Sequence, residues 1–175
     1  MEKKHYNVVA AVIVDNDEVL CMQRGKTKFE YTSYKWEFPG GKIEPGETPV
    51  EALHREILEE MAMDVCVDKH LVTVEHEYPD FRITMAAYLC TSMTGRTFTM
   101  NERNAHKWLP YSQLSNLEWA VADVGVVESH QAHGVVFTIF PLVQSVGFDN
   151  TTYVERHYSY RHFFGECACG NHRRT

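Results

Sequence analysis

The chain has 175 residues, 44% of them hydrophobic, and a formal net charge of −7. This length supports one sizeable core with an extension and is short for two full domains. The apolar runs, such as residues 8–14, fall far short of the roughly 20 residues of a membrane helix, and no apolar stretch of signal-peptide length precedes them. The acidic balance gives no general attraction for a nucleic-acid backbone. We therefore expect no membrane insertion, no secretion and no nucleic-acid partner.

Two apolar strands are predicted between residues 5 and 24, in the sequences VVAAVIV and VLCMQR. The Asp-Asn-Asp sequence at 15–17 is a compact turn signal, so the pair reads as a β-hairpin. Residues 25–35 are polar and aromatic without periodicity, which indicates a loop leading into a short strand at 36–38. The Pro-Gly-Gly sequence at 39–41 is expected to stop regular structure.

The clearest helix is predicted to begin after Thr48. Thr48 supplies an N-cap hydroxyl, Pro49 suits the first helical position, and Glu51 completes a capping box. The helix is expected to run to about Met61.

The later elements alternate between strands and one further helix. Residues 65–78 and 81–90 form strand-like runs broken at Pro-Asp, which predicts a second hairpin. A short strand at 106–109 and a helix at about 120–130 complete a mixed sheet with helices on its faces, an α/β fold.

The composition changes after His130. We expect residues 1–130 to form one domain and residues 131–175 to be an extension rich in Phe, Tyr and His. Its aromatic side chains need burial, against the domain or against a second subunit in a homodimer.

The odd number of cysteines, scattered through apolar segments, argues against a disulfide framework. Reduced thiols and a cytoplasmic location are expected. The terminal cluster Cys167-x-Cys169-x-x-His172 offers too few ligands for a closed zinc site, so a flexible end is the preferred interpretation.

Acidic residues are concentrated on and just before the first helix. Glu56, Glu59 and Glu60 lie at i, i+3 and i+4, so their carboxylates share one helix face. The apolar positions expected on the opposite, core-facing stripe are Val50, Leu53, Ile57 and Met61. Like charges at this spacing repel, and a hard divalent cation would compensate them, because Mg²⁺ binds carboxylates together with substrate phosphates.

The alternative is that these acids form only the solvated face of an amphipathic helix. Two neighbouring features favour a site: the Gly-Gly sequence and the additional acid Glu47 immediately before the helix. Backbone groups and the helix dipole can orient phosphate and metal there.

The segment 41–63, GKIEPGETPVEALHREILEEMAM, resembles the Nudix box. The positions in register with that pattern are Gly41, Glu47, Arg55, Glu56, Ile57, Glu59, Glu60 and Met63. The one departure is Ala62, where the family has a glycine that ends the helix in a left-handed conformation. The similarity extends over residues 6–130 and implies the Nudix α/β/α sandwich, with a mixed β-sheet between helices.

This resemblance also implies a site that uses Mg²⁺, with Mn²⁺ as an alternative ion. The implied metal ligands all offer oxygen atoms and are Glu56, Glu59, Glu60 and the Gly40 carbonyl. Arg55 would hold the glutamates by charge-assisted hydrogen bonds, and Glu47 would support them. Glu102 is similar in position to a further acid that many members use as metal ligand or base.

The segment 35–44, KWEFPGGKIE, resembles the nucleotide-cleaning (MutT-like) subgroup that includes 8-oxo-dGTP diphosphatase and CTP pyrophosphohydrolase. Arg24 and Lys42 are then candidates for phosphate contact, since both are cations near the expected metal ligands. The alternative for each is a solvated surface charge.

A base-reading role is implied for Asp123, which follows Ala122 in the late helix and resembles an acidic or amide residue of that subgroup. Its carboxylate could accept from the amine of cytosine or from the N–H donors of a guanine-type edge, or it could be a helix cap. Tyr78, Phe81 and Trp119 are candidates for stacking on the base, although such aromatics more often belong to the core.

The expected reaction is attack of a metal-activated water at the β-phosphorus of a nucleoside triphosphate, giving the monophosphate and pyrophosphate. One rival interpretation keeps the chemistry but changes the substrate to ADP-ribose or a nucleotide sugar. Another is a non-catalytic, nucleotide-sensing Nudix domain.

Overall fold

The computed structural model describes residues 3–99 and 103–132. Residues 133–175, which hold nearly all of the predicted extension and the terminal Cys-Cys-His cluster, lie outside the described ranges. The described strands are β1 (Lys4–Asp15), β2 (Glu18–Arg24), β3 (Trp36–Glu37), β4 (Gly40–Lys42), β5 (Val65–Glu77), β6 (Phe81–Ser92) and β7 (Arg103–Pro110). The α-helices are α1 (Pro49–Met61) and α2 (Val121–Ala132), and short 3-10 helices span Glu30–Thr32 and Tyr111–Asn116.

The strands form one mixed sheet in the order β3-β2-β1-β6-β5, with β4 paired to β1 and β7 paired to β2. The pairing of β1 with β6 is parallel, whereas β2 and β4 run antiparallel to β1. Strand β1 is buried on both faces because its side chains alternate between two cores. Val9, Ala11 and Ile13 pack with α1, while Ala10 and Val12 pack with α2. The α/β/α sandwich expected from the sequence is confirmed.

The first hairpin forms as predicted. Val14 pairs with Val19 and Asp15 with Glu18, leaving a two-residue turn. Asn16 has φ 49° and Asp17 has φ 63°, the pattern of a type I′ turn, whose twist matches the flanking strands.

The expectation that regular structure stops at 39–41 is wrong. Gly40–Lys42 forms the short strand β4 and pairs with β1 across residues 8–10. A Pro-Gly-Gly sequence opposes strand formation by local propensity. Pairing with a central strand overrides that propensity here, and it brings the glycines beside α1.

Helix α1 carries the predicted capping box. The Thr48 hydroxyl accepts from the Glu51 backbone N–H, and the Glu51 side chain accepts from the Thr48 backbone N–H. The predicted core stripe is confirmed for Leu53, Ile57 and Met61, which are fully buried, but it is wrong for Val50, which is exposed. Val50 lies in the first turn of α1 and points away from the core, and the first buried residue of the helix is Ala52.

The later elements agree with prediction. Strands β5 and β6 pair as a hairpin with two register shifts, β7 is longer than expected, and α2 begins within a residue of the predicted start.

No helix in the described ranges is long and apolar enough to span a membrane. Cys21 and Cys90 are free and buried, as the sequence predicted, whereas Cys66 is disulfide-bonded, so the expectation of reduced thiols is wrong for that residue.

Helix α1 ends at Ala62, which adopts φ 50°, ψ 30° in the left-handed region. This conformation costs an L-residue with a Cβ roughly 1–2 kcal/mol. We therefore predict that Ala62→Gly stabilises the fold by about 0.5–1 kcal/mol, once the greater freedom of glycine in the unfolded chain is subtracted. Urea unfolding measures the change. The control Ala52→Gly, inside the same helix, should destabilise by at least about 1 kcal/mol, and equal effects of the two substitutions would contradict the assignment.

Candidate active site

The acids of the sequence motif lie on α1 beside β4. Glu56 is mostly buried, whereas Glu59 has 62% of its side chain exposed. Glu60 is intermediate in exposure. The face of α1 that carries these acids is thus open to solvent on one side and covered on the other by β4, which we call the glycine strand because it contains Gly40 and Gly41.

The two glycines of β4 are required because neighbouring groups on β1 and α1 lie too close for a side chain at either position. A Cβ on Gly41 would overlap the carboxyl group of Glu56, and a Cβ on Gly40 would overlap the Val9 carbonyl. Gly40 also has φ 151°, which favours glycine. The strand therefore lets β1, β4 and the Glu56 carboxylate lie closer together than any other residue would allow.

Arg55 is the charged centre of the site. Its Nε and Nη2 donate to the two carboxylate oxygens of Glu47 at 2.6 and 3.0 Å. Its Nη1 donates to Glu56 at 2.9 Å and to Glu59 at 3.4 Å, and Nη2 also reaches the Lys42 carbonyl at 3.0 Å. Arg55 thus makes charge-assisted hydrogen bonds to three glutamates of the motif.

Glu47 is the most strongly perturbed acid of the site. The Arg55 guanidinium, together with the Glu44 backbone N–H at 2.9 Å, lowers the pKa of Glu47 to about 2. The same hydrogen bonds raise the pKa of Arg55. Both groups are therefore charged throughout the neutral range and form a permanent ion pair.

The carboxylates suit a hard divalent cation in chemistry and in placement. Glu56 and Glu59 both receive hydrogen bonds from one nitrogen of Arg55, so their oxygens lie close together, and the open side of Gly41 leaves the Glu56 carboxyl uncrowded. Oxygen donors of this kind bind Mg²⁺. In residues 3–99 and 103–132, however, no three acidic, histidine or cysteine side chains are already arranged around one metal position. Glu102 lies outside the described residues.

The two predicted phosphate-contacting cations are in different environments. Arg24 donates through Nε and Nη2 to one oxygen of Glu37, at 2.7 and 2.6 Å, and keeps 43% of its side chain exposed. The Lys42 ammonium lies 4.4 Å from the centre of the Tyr6 ring. Lys42 lies within the motif segment, whereas Arg24 ends β2 and is oriented by its ion pair with Glu37.

Glu37 was missed by the sequence reasoning. It is 5% exposed and therefore buried. A buried charge needs a partner, which Arg24 provides. The available signal was a lone acid between Trp36 and Phe38 in an otherwise apolar strand.

Asp123 lies in the first turn of α2 and is only 6% exposed. Its Oδ1 accepts from the Phe38 backbone N–H at 2.9 Å. The Trp36 backbone N–H donates to the Glu118 carbonyl at 2.9 Å, and the Ala120 backbone N–H donates to the Trp36 carbonyl at 2.8 Å. These two hydrogen bonds hold β3 against the start of α2. The structure therefore brings Asp123 next to the strand that precedes the glycines.

The three aromatic candidates divide into two groups. Tyr78 and Phe81 contact each other, with ring centres 4.7 Å apart. Trp119 packs on Phe38 at 4.7 Å and donates its indole N–H to the Leu114 carbonyl. Trp119 is thus a core residue with its polar atom satisfied.

Comparison with known proteins agrees with this geometry. A NUDIX domain profile matches residues 3–129, and the chain belongs to the Nudix hydrolase family. It is 41% identical over 91 residues to an 8-oxo-dGTP diphosphatase of Proteus vulgaris, covering 52% of this chain and 80% of the relative. It is 30% identical over 129 residues to the CTP pyrophosphohydrolase of Escherichia coli K12, covering 74% of this chain and 93% of the relative.

A solved structure is similar as well. The solution structure described as DNA mismatch repair protein MutT, a Nudix hydrolase of methicillin-resistant Staphylococcus aureus 252, is 38% identical and has a TM-score of 0.61. The similarity covers 76% of this chain and all of that protein. The chain is accordingly a MutT-like Nudix hydrolase.

The lowered pKa of Glu47 predicts that the fold loses stability as the pH falls. The folded-state pKa of Glu47, about 2, lies below its ordinary value of 4.5, so its stabilising contribution is complete above pH 4.5 and is lost as the pH falls toward 2. Urea unfolding between pH 6 and pH 2 should therefore show a shallower pH dependence for Glu47→Gln than for the unchanged chain. Glu128→Gln, an exposed substitution on α2, is the control. Parallel curves for Glu47→Gln and the unchanged chain would contradict the ion pair.

Proposed function

We propose that the chain is a Mg²⁺-dependent nucleoside triphosphate pyrophosphohydrolase that releases the nucleoside monophosphate and pyrophosphate. The observation that carries the proposal is the Arg55 network, which holds Glu47, Glu56 and Glu59 together beside the glycine strand. Acids that only form a solvated helix face would need neither partly buried ion pairs with Arg55 nor a glycine at position 41 that leaves room for the Glu56 carboxyl.

The residues that would hold the ion offer hard oxygen donors and are Glu56, Glu59, Glu60 and the Gly40 carbonyl. When bound, Mg²⁺, or Mn²⁺ in its place, supplies charge neutralisation for the phosphates and activation of the attacking water. Arg55 keeps Glu56 and Glu59 in position and reduces their mutual repulsion. Glu47 in turn fixes the position of the Arg55 guanidinium by two hydrogen bonds.

Glu102 is proposed as a further ligand or base from its flanking residues. Before it, Thr99 donates its backbone N–H to the Met61 carbonyl at 2.9 Å, at the end of α1 that carries Glu59 and Glu60. After it, Arg103 pairs with Arg24 across the sheet. The described chain on both sides of Glu102 is therefore near the proposed site.

The proposed step is attack of water on the β-phosphorus. The new bond joins the water oxygen to that phosphorus, and the bond from it to the oxygen bridging the α-phosphate breaks. The bridging oxygen leaves with the monophosphate, the water oxygen stays in pyrophosphate, and the water proton passes to a carboxylate. Arg24 and Lys42 are proposed to contact the phosphates.

We assign base recognition to Asp123, because it is a buried acid at the start of α2 and is next to Phe38. The names of the similar proteins support a nucleobase substrate of the 8-oxo-dGTP or CTP type. ADP-ribose or a nucleotide sugar remains the alternative substrate class, and a sensing domain without turnover is the alternative function. We further propose that residues 1–130 are the Nudix domain and residues 131–175 an added segment that packs against the domain or a second copy.

The test is incubation with Mg²⁺ and a panel of CTP, dCTP, dGTP, 8-oxo-dGTP, ADP-ribose and a nucleotide sugar, with products separated by chromatography. We expect pyrophosphate from one triphosphate and at least about 100-fold slower turnover for Glu59→Gln and Glu60→Gln, on the scale of losing electrostatic stabilisation at a reacting centre. Glu128→Gln is the charge-matched control. No turnover of any compound, or unchanged turnover in both variants, would refute the proposal and favour the sensing domain.

The glycine strand gives a second prediction. Gly41→Ala places a methyl group where the Glu56 carboxyl now lies, and this flexible side chain must move away. We expect turnover to fall by about 10-fold or more because the carboxylate is displaced, while the thermal midpoint changes little. Gly25→Ala is the matched control, because its Cβ would meet nothing within 4 Å. Full activity of Gly41→Ala would show that the observed position of Glu56 is not needed.

A further inference from the structure

The cysteines of the chain are in different chemical states. The sequence contains five, which are Cys21, Cys66, Cys90, Cys167 and Cys169. Of the three in the described ranges, Cys21 and Cys90 are free, whereas Cys66 is disulfide-bonded. The structure contains one copy of the chain, so the second sulfur must come from the same chain. The count leaves Cys167 and Cys169 as the candidates.

Burial explains why Cys21 and Cys90 stay free. Both residues are fully buried, and their thiols donate to the carbonyls of Val19 and Tyr88. Burial raises the pKa of Cys21 to about 12 and also raises the pKa of Cys90, so neither forms the thiolate that attacks another sulfur. Cys66, in contrast, is partly exposed. Among the described cysteines it is therefore the one that a distant segment of the chain can reach.

Cys66 lies on the outermost strand of the described sheet. It is the second residue of β5, which is last in the strand order and pairs with β6. Its partner on β6 is Thr91, which is six residues after Met85 and therefore on the same face of that strand. Met85 belongs to the core that α2 covers. Cys66 is thus on the α2 face of the sheet, at the sheet edge.

The C-terminal segment can reach this position. Helix α2 is the last described element, and it packs against β5. Residues 133–166, which separate α2 from Cys167, number 34, and a chain of that length can extend over roughly 110 Å. A domain of this size has a radius of gyration of about 14 Å. Chain length therefore prevents neither Cys167 nor Cys169 from reaching Cys66.

We propose that Cys66 and one of the two terminal cysteines, Cys167 or Cys169, form a disulfide that fixes residues 131–175 on the α2 face of the sheet edge. The proposal selects the domain, and not a second copy, as the surface on which this segment packs. The aromatic side chains of the segment would be buried there. The inference is independent of hydrolysis, because no residue of the proposed active site takes part.

The bond forms by thiol–disulfide exchange with a small-molecule disulfide, for which oxidised glutathione is the probe. One thiolate of the chain attacks a sulfur of the probe, forms a mixed disulfide and releases one glutathione thiolate. The second thiolate of the chain attacks the mixed disulfide, forms the protein bond and releases the second glutathione thiolate. The two protein thiols are oxidised, and the probe is reduced to two thiols that take up the two protons. The reverse reaction breaks the bond in a reducing compartment, so attachment of the segment depends on the redox state of the surroundings.

The test incubates the whole folded chain with oxidised glutathione, blocks the remaining thiols with N-ethylmaleimide and maps the disulfides by digestion and mass spectrometry. We expect a peptide containing Cys66 joined to the peptide that contains Cys167 and Cys169. The bond closes a loop of about 100 residues, so the denatured chain should be more compact and migrate faster on a non-reducing gel. Both signals should vanish on reduction and in Cys66→Ser.

Three further variants complete the design. Cys21→Ala removes a cysteine that is free, and as the matched control it should keep the linked peptide and the faster migration. Cys167→Ser and Cys169→Ser, tested separately, identify which terminal cysteine is the partner. Circular dichroism establishes that each variant is folded.

The outcomes that would overturn the proposal are distinct. Cys66 could be recovered blocked by N-ethylmaleimide or bound only to glutathione. Cys167 could be joined to Cys169, or Cys66 could be joined to the Cys66 of a second copy in a covalent dimer. Oxidation in concentrated urea is the reference for pairing without the fold. The same distribution of disulfides in urea and in buffer would also overturn the proposal, because the fold would then not select Cys66.

Discussion

The ion-pair network of Arg55 is the interaction on which the site depends. Acids at i, i+3 and i+4 on one helix repel one another, and this helix has no basic residue in its last turn to offset them. Arg55 compensates by donating to acids before the helix and along it, and to the carbonyl of β4 residue Lys42. The planar guanidinium has enough donors in fixed directions to join these groups, which lysine lacks. Loop, strand and helix are thereby held as one unit.

The second constraint is the absence of side chains at Gly40 and Gly41, the first two residues of β4. Strand β4 lies beside the central strand β1 in the sheet and also contacts α1. A Cβ on Gly40 would overlap the Val9 carbonyl of β1, and the carboxyl of Glu56 on α1 occupies the space beside Gly41. The chemistry proposed for α1 is therefore set by packing in the sheet as much as by the charges on the helix.

Features encoded locally could be predicted, and features that depend on distant contacts could not. The capping box of α1, the turn at Asn16 and the strain at Ala62 follow from short-range backbone preferences, and the structure agrees with all three. The β-strand at Gly40 arises only from pairing with β1, and the exposure of Val50 only from how α1 lies on the sheet. The Nudix motif pointed to the acids that Arg55 joins in the structure. The burial of Glu37 could not be predicted in this way, because it depends on the partner Arg24 on another strand.

The parallel pairing of β1 with β6 has a consequence for how the protein reaches this state. Lys4 pairs with Phe81 and Val14 with Thr91, so the whole of α1 and β4 lies within the loop that this pairing closes. Closing so long a loop is entropically costly and slows folding relative to structures with local contacts. Helix α1 can form early from its own capping signals, but β4 has no partner until β1 is in the sheet. The acids of α1 and the glycines of β4 should thus come together late in folding, after β1 has joined the sheet.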